Sequence, residues 1–387
     1  MEKTINPTIN PTQLAQNMAY WTFDLNDAIR YLKERFPIRK INEVLMYSIK
    51  QKAQERNMSE NEIKAILRSR LGNQNVNNWL NGNVNSISRE KAIQIAFALH
   101  MTYEETETFI KKCWLDGFYM RDVRDVIYRH GLENGWCYKK TDKLVKIFAS
   151  LDQANINPNG SGVIHDNEFT KHLNTLYTGS VKTKDDLIYF IRQNEQFFGS
   201  FKRKAYIKFK ELYDGLKQEW DDLAGVDYEL DSLTEQSQVY DRDTVSMEEL
   251  NDVIVKGIPE YIKHGKFSAD IRRLITEHIP SSRSTMSEII NQYERNGLVT
   301  QVDRKLLLLA YLASDDGATW EYQKGKELEA FMEHLSVINI DLLEPLGMAT
   351  LDPRHPFDWI IMYSLSCSYF GYAGDADDRI RELLESI

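Results

Sequence analysis

The residues from Asn157 to Glu168, NPNGSGVIHDNE, match the spacing of a calcium-binding loop, with Asn157, Asn159 and Ser161 at its first, third and fifth positions. Gly162 stands at the sixth, Ile164 at the eighth and Glu168 at the twelfth. Calcium favours Asp at the first position, and Glu168 is the only charged residue among the usual ligands, so the stretch reads as an interdomain loop without a metal. The run Asp352 to Asp358, DPRHPFD, has reactive residue types, but it is simpler as a proline-bounded loop entering a helix, with Asp352 as its cap and Phe357 as its packing residue. His355 there reads as structural. No nucleophile elbow, phosphate-binding glycine loop, H-E-x-x-H or histidine pair occurs, and the eight histidines are dispersed. Neither a catalytic residue nor a cofactor is expected. Phe201 to Trp220 interleaves Lys202, Arg203, Lys204, Lys208, Lys210 and Lys217 with Phe201, Tyr206, Phe209 and Tyr213. Such a strip could follow a phosphate backbone, yet the aromatics fall at helical spacing, which favours an amphipathic helix with a solvated charged face.

Whatever these residues do, helices must position them. Apolar residues recur at three and four spacings, as in Ile41, Val44, Leu45 and Ile49, then Ile63, Ile66 and Leu67, then Ile93, Ala96, Phe97 and Leu99. Strand-like alternation is nearly absent, so the fold class is all-α. A length of 387 residues exceeds what one core supports. The boundaries expected are an N-terminal extension over 1–37, a helix-turn-helix domain over 38–150, a central helical domain over 151–265 and a C-terminal helical domain over 266–387. The polar start and the lack of a long apolar run imply a cytoplasmic protein with no membrane partner. Three scattered cysteines, Cys113, Cys137 and Cys367, make neither a disulfide framework nor a zinc site. The net charge of -10 argues against a surface built to wrap nucleic acid, but residues 39–90 hold nine Lys and Arg against five Glu.

The segment Met58 to Glu105 holds the most local information. Ser59 with Glu62 makes a capping box opening a helix to about Arg70, Gly72 allows a tight turn, and a short helix follows over Asn73 to Leu80. Asn81-Gly82 ends it and Ser88 caps the next. The W-L-N-G of Trp79 to Gly82 and the I-A-F-A-L of Ile95 to Leu99 resemble the lambda-repressor-like, or xenobiotic-response-element, helix-turn-helix family. That resemblance spans about one eighth of the chain. It implies a second helix in the DNA major groove, with Asn73, Gln74, Asn75, Asn77 and Asn78 as base readers and Lys64, Arg68, Arg70 and Arg89 as phosphate contacts. Asn and Gln suit adenine, whereas the absence of Arg and Lys on the reading helix departs from the family pattern and weakens any guanine contact.

A second unit of this kind is expected near 268–313, with Ser282, Arg283 and Ser284 facing DNA. It belongs to an apparent internal repeat. Phe109 to Leu132 and Leu342 to Leu365 align at an offset of 233, which pairs Arg121 with Arg354 and Asp125 with Asp358, and a hydrophobic helix precedes each copy at Arg89 and Asp303. The function expected is a DNA-binding transcriptional regulator of double-stranded DNA, with the other domains serving dimerisation, partner contact or sensing. The alternative is a helical protein-interaction protein that modulates a nucleic-acid-binding partner.

Overall fold

The computed structural model describes residues 28, 30–31, 40–84, 87–113, 115–154, 168–231, 302, 304–314 and 327–369. Among them every regular element is helical and none is a strand, so the protein is all-α over these residues. No helix there is long and apolar enough to cross a membrane. The chain divides into two compact units, one made of residues 38–204 with 343–350, the other of 1–37, 205–342 and 351–387. Residues 268–301 of the expected second helix-turn-helix unit, with Ser282, Arg283 and Ser284, lie outside the described residues, as does the calcium-like loop up to Asn167.

The first unit opens with five helices: α1 (Ile41–Glu55), α2 (Glu60–Leu71), α3 (Asn73–Leu80), α4 (Arg89–Ala98) and α5 (Tyr103–Lys112). Their starts are set by side chains that satisfy the first orphan N–H groups. Ser59 and Glu62 exchange the two bonds of a capping box, Thr102 and Glu105 do the same for α5, and Ser88 accepts from the Lys91 N–H for α4. Such a cap contributes about 1 kcal/mol. Gly72 has a φ of 89°, a left-handed region that a side chain would strain, and this lets α3 begin one residue after α2 ends. Helices α6 (Val123–Glu133) and α7 (Tyr138–Ala154) follow, then α8 (Glu168–Ser180) and α9 (Lys184–Gln193). The last two belong to this unit because α8 reaches back to α6. The Tyr177 hydroxyl donates to Glu133 at 2.7 Å, and Arg129 donates to Asn174 at 2.7 Å between the rings of Tyr103 and Tyr177. One apolar core runs from Ile41 and Leu45 through Ile63, Val76, Ile93 and Phe97 to Leu187 and Phe198.

Residues 343–350 return to this unit late in the chain. The Ala349 N–H donates to the Asp116 carboxylate at 3.1 Å, and a Cβ at Gly347 would come within 2.6 Å of the Tyr119 ring. Only glycine lets the segment pass so close.

Helix α10 (Ser200–Asp231) carries the chain onward, and the second unit contains α11 (Arg304–Ala313), α12 (Glu327–Val337) and α13 (Pro356–Tyr369). Leu306 to Leu309 and Trp359 to Tyr363 are buried on every side, so α11 and α13 are core helices rather than amphipathic ones. Tyr31 stacks on Trp359, which stacks in turn on Tyr363. His334 on α12 is fully buried with Nε2 at 2.9 Å from the Tyr311 hydroxyl. Burial pushes this imidazole down to about 4.

The folded unit thus holds His334 neutral over a range in which the unfolded chain takes up a proton. Its stability contribution is complete above the unfolded value and is lost as pH falls from there towards 4. Denaturant unfolding at pH 7, 6 and 5 should show the second unit weakening at up to about 1.4 kcal/mol per pH unit. His334→Gln should flatten that slope; an unchanged slope would assign the acid sensitivity elsewhere.

Candidate nucleic-acid interface

Helix α3 is short, and two apolar side chains hold it. Val76 is 0% and Trp79 6% exposed, both in the unit's core, while Asn73, Gln74, Asn75 and Asn77 are exposed and Asn78 half-buried. A helix of eight residues is marginal by itself, so these anchors and the capped α2 beside it are what keep α3 helical. The result is an amide-covered face carried on a fixed support.

The amides are not equivalent. Asn75 donates from Nδ2 to the Leu71 carbonyl at 3.2 Å and so helps close the end of α2. Asn77 accepts at Oδ1 from Arg68 Nε at 3.0 Å, which fixes its amide orientation and leaves Nδ2 for an outside acceptor. Asn75 is thus diverted into closing α2, whereas Asn73, Gln74, Asn77 and Asn78, the others expected to read bases, stand on the exposed or half-buried side of α3. Lys64 stands 3.6 Å from Glu60, a surface pair that a phosphate can replace at little cost.

Two expected phosphate contacts turn out to be bonded within the fold. Arg70 donates from Nη1 to the Phe97 and Ala98 carbonyls, at 3.4 and 3.1 Å, and its charge sits at the negative end of α4. Arg56 joins it there on the Leu99 carbonyl. Arg89 corrects the expectation more fully. Its Nη1 and Nη2 grip both oxygens of Asp125 at 2.9 and 2.8 Å, while Nε and Nη2 donate to the Asp116 and Gly117 carbonyls at 2.8 Å each. Four of its five N–H groups are thereby committed within the unit, which leaves little for a phosphate. Lys52 is buried as well, paired with Glu105 and Glu55. The basic count of residues 39–90 thus overstates the free positive face, since Lys52, Arg56, Arg70 and Arg89 neutralise or cap groups of the same unit.

The Arg89 arrangement has a counterpart in the second unit. Arg304, the first residue of α11 as Arg89 is of α4, holds both oxygens of Asp358 at 2.7 and 2.8 Å. Asp125 is the third residue of α6 and Asp358 the third of α13. Each also accepts from a backbone N–H six residues earlier, Tyr119 at 2.8 Å and Asp352 at 2.9 Å, which keeps the offset of 233. The position before the helix differs. It is Asp122 in the first unit and His355 in the second, and His355 lies 3.5 Å from Asp358. Burial and the Asp122 carboxylate push Asp125 up to about 6 against the pull of Arg89. Burial acts on Asp358 too, but Arg304 and His355 overcome it and hold that carboxyl well below the usual range. Arg121 and Arg354 also diverge: Arg354 pairs with Asp352 at 2.5 Å, while Arg121 is wholly buried.

Removing Arg89 leaves Asp125 inside the protein without its cation. Arg89→Ala should cost the first unit about 3 kcal/mol in equilibrium denaturation, the range for breaking a buried pair. A loss below about 1 kcal/mol, as for a surface pair, would deny the clamp its structural role. Compared with known proteins, the chain matches no family model, no curated protein and no solved structure.

Proposed function

We propose that the first unit binds double-stranded DNA, with α3 laid in the major groove, and that the chain acts as a transcriptional regulator of the lambda-repressor-like class. The observation that carries this reading is the amide face of α3, exposed over its first turns, anchored from behind by Val76 and Trp79, and joined to Arg68 of the preceding helix through Asn77. Asn73, Gln74, Asn77 and Asn78 serve as base readers, and Lys64 and Arg68 as phosphate contacts. Phosphate affinity is correspondingly modest, because Arg70 and Arg89 are bonded inside the unit.

The second reading, a helical protein-interaction protein, is favoured by those inward cations together with the net charge of -10. Binding to duplex DNA at graded salt separates the two. Under the first reading log affinity falls linearly with log salt, and Lys64→Ala with Arg68→Ala lowers the slope by about 2. Asn77→Ala should cost about 1 to 3 kcal/mol on the preferred site and little on other sequences. Absence of binding at low salt, or a Lys64/Arg68 double variant that binds like the unchanged protein, transfers the face to a protein partner.

A further inference from the structure

Arg121 lies in the turn that leads into α6 and is 0% exposed. Its Nη2 donates to the Ser200 hydroxyl at 2.5 Å, and its carbonyl accepts from the Gly199 N–H at 3.0 Å. Its Nε and Nη1 are buried and have no hydrogen-bond partner among the described residues. Guanidinium groups keep their charge in proteins, so a buried one needs an anion to offset its desolvation. The adjacent carboxylate does not serve, because Asp122 is taken by Arg124 at 3.0 Å and approached by Lys202 at 3.8 Å.

The place where Arg121 points is the start of α10. This is a helix of 32 residues, and its first N–H groups and dipole present positive potential there. Helix starts normally attract Asp and Glu. Here the first turn holds no acid and instead carries Lys202, Arg203 and Lys204 in succession. Arg121 and Ser200 meet at this positive helix end, whose first turn carries Lys202, Arg203 and Lys204, an arrangement that favours an arriving anion. Ser200 and the three basic residues are half-buried, so the mouth of the site reaches solvent.

We propose that the start of α10 is a phosphate-binding site in which Arg121 holds the oxyanion, the Ser200 hydroxyl turns to it from the Phe197 carbonyl to which it donates at 3.0 Å, and Lys202, Arg203 and Lys204 supply the surrounding positive field. The phosphate group can come from a small molecule or from a DNA backbone. This site is separate from the amide face of α3 and does not depend on the DNA reading.

The experiment titrates the full-length protein with inorganic phosphate, against chloride at matched ionic strength, and follows thermal unfolding and phosphorus NMR linewidth. Phosphate alone should raise Tm with its concentration, as binding to the folded state requires. Ser200→Ala should weaken the phosphate affinity about tenfold, the loss of one charge-assisted contact. Arg121→Leu should abolish it, and Lys64→Ala with Arg68→Ala should leave it intact. Should Arg121→Leu fail to fold, Ser200→Ala and Arg121→Lys, each checked by circular dichroism, decide in its place. A protein indifferent to phosphate overturns the proposal, and so does a phosphate response that survives in the Arg121 and Ser200 variants. An Arg121→Leu protein that melts higher than the unchanged one while the latter ignores phosphate also overturns it, by showing the cation to be an unrelieved burden. Once phosphate binding is seen, duplex DNA assigns its source: a salt slope reduced by Ser200→Ala points to the backbone, an unchanged slope to a small molecule.

Discussion

The pairing of Arg89 with Asp125 is the constraint on which the rest of the first unit leans. A carboxylate has left water and a guanidinium has left it in large part, and the cost is met by four bonds from that guanidinium and a fifth from the Tyr119 N–H. The geometry joins the start of α4 to the start of α6 and draws in the intervening residues 116–119. With that connection fixed, α4 can lie against α2 and offer the Phe97 and Ala98 carbonyls to Arg70 and that of Leu99 to Arg56. Arg121, four residues from Asp125, is thereby held against α10. One ionic contact therefore supports both the amide face and the cationic end of α10.

Much of the local structure was legible in the residues. Ser59 with Glu62, Gly72, Asn81-Gly82 and Ser88 mark α2, α3 and α4 because capping and tight turns depend on neighbours within a few positions. The identities Arg121/Arg354 and Asp125/Asp358 were also visible. What Asp125 and Asp358 bind was not, since Arg89 is 36 residues away and Arg304 is 54 residues away, and periodicity says which face a residue takes but not what it meets. A signal did exist. Arg89 opens α4 and Arg304 opens α11, positions where the helix dipole disfavours a cation, and each is matched by an acid in the third position of a later helix. The same signal, repeated three times at Lys202 to Lys204, was absorbed into the reading of an amphipathic helix.

Counting charge along the chain misleads for a related reason. Residues 39–90 look basic as a string, but Lys52, Arg56, Arg70 and Arg89 meet carboxylates or helix-end carbonyls. Beside the amides of α3, what is left for an external anion is Lys64 and Arg68. On the DNA reading proposed above, such a surface would discriminate by hydrogen-bond pattern more than by attraction, with a low non-specific affinity.

The return of residues 343–350 to the first unit has a consequence for how the molecule can be divided. The peptide passes between the two units at 37–38, at 204–205, again at 342–343 and once more at 350–351, so no single cut yields both. A fragment ending at residue 204 would carry Asp116 and Tyr119 bare where Ala349 and Gly347 belong. The remaining piece would be left holding a strip of chain whose seat is gone. During synthesis, too, the first unit waits for more than a hundred later residues before its last segment can arrive. Until then it is an unfinished surface, open to whatever else can lie across Tyr119.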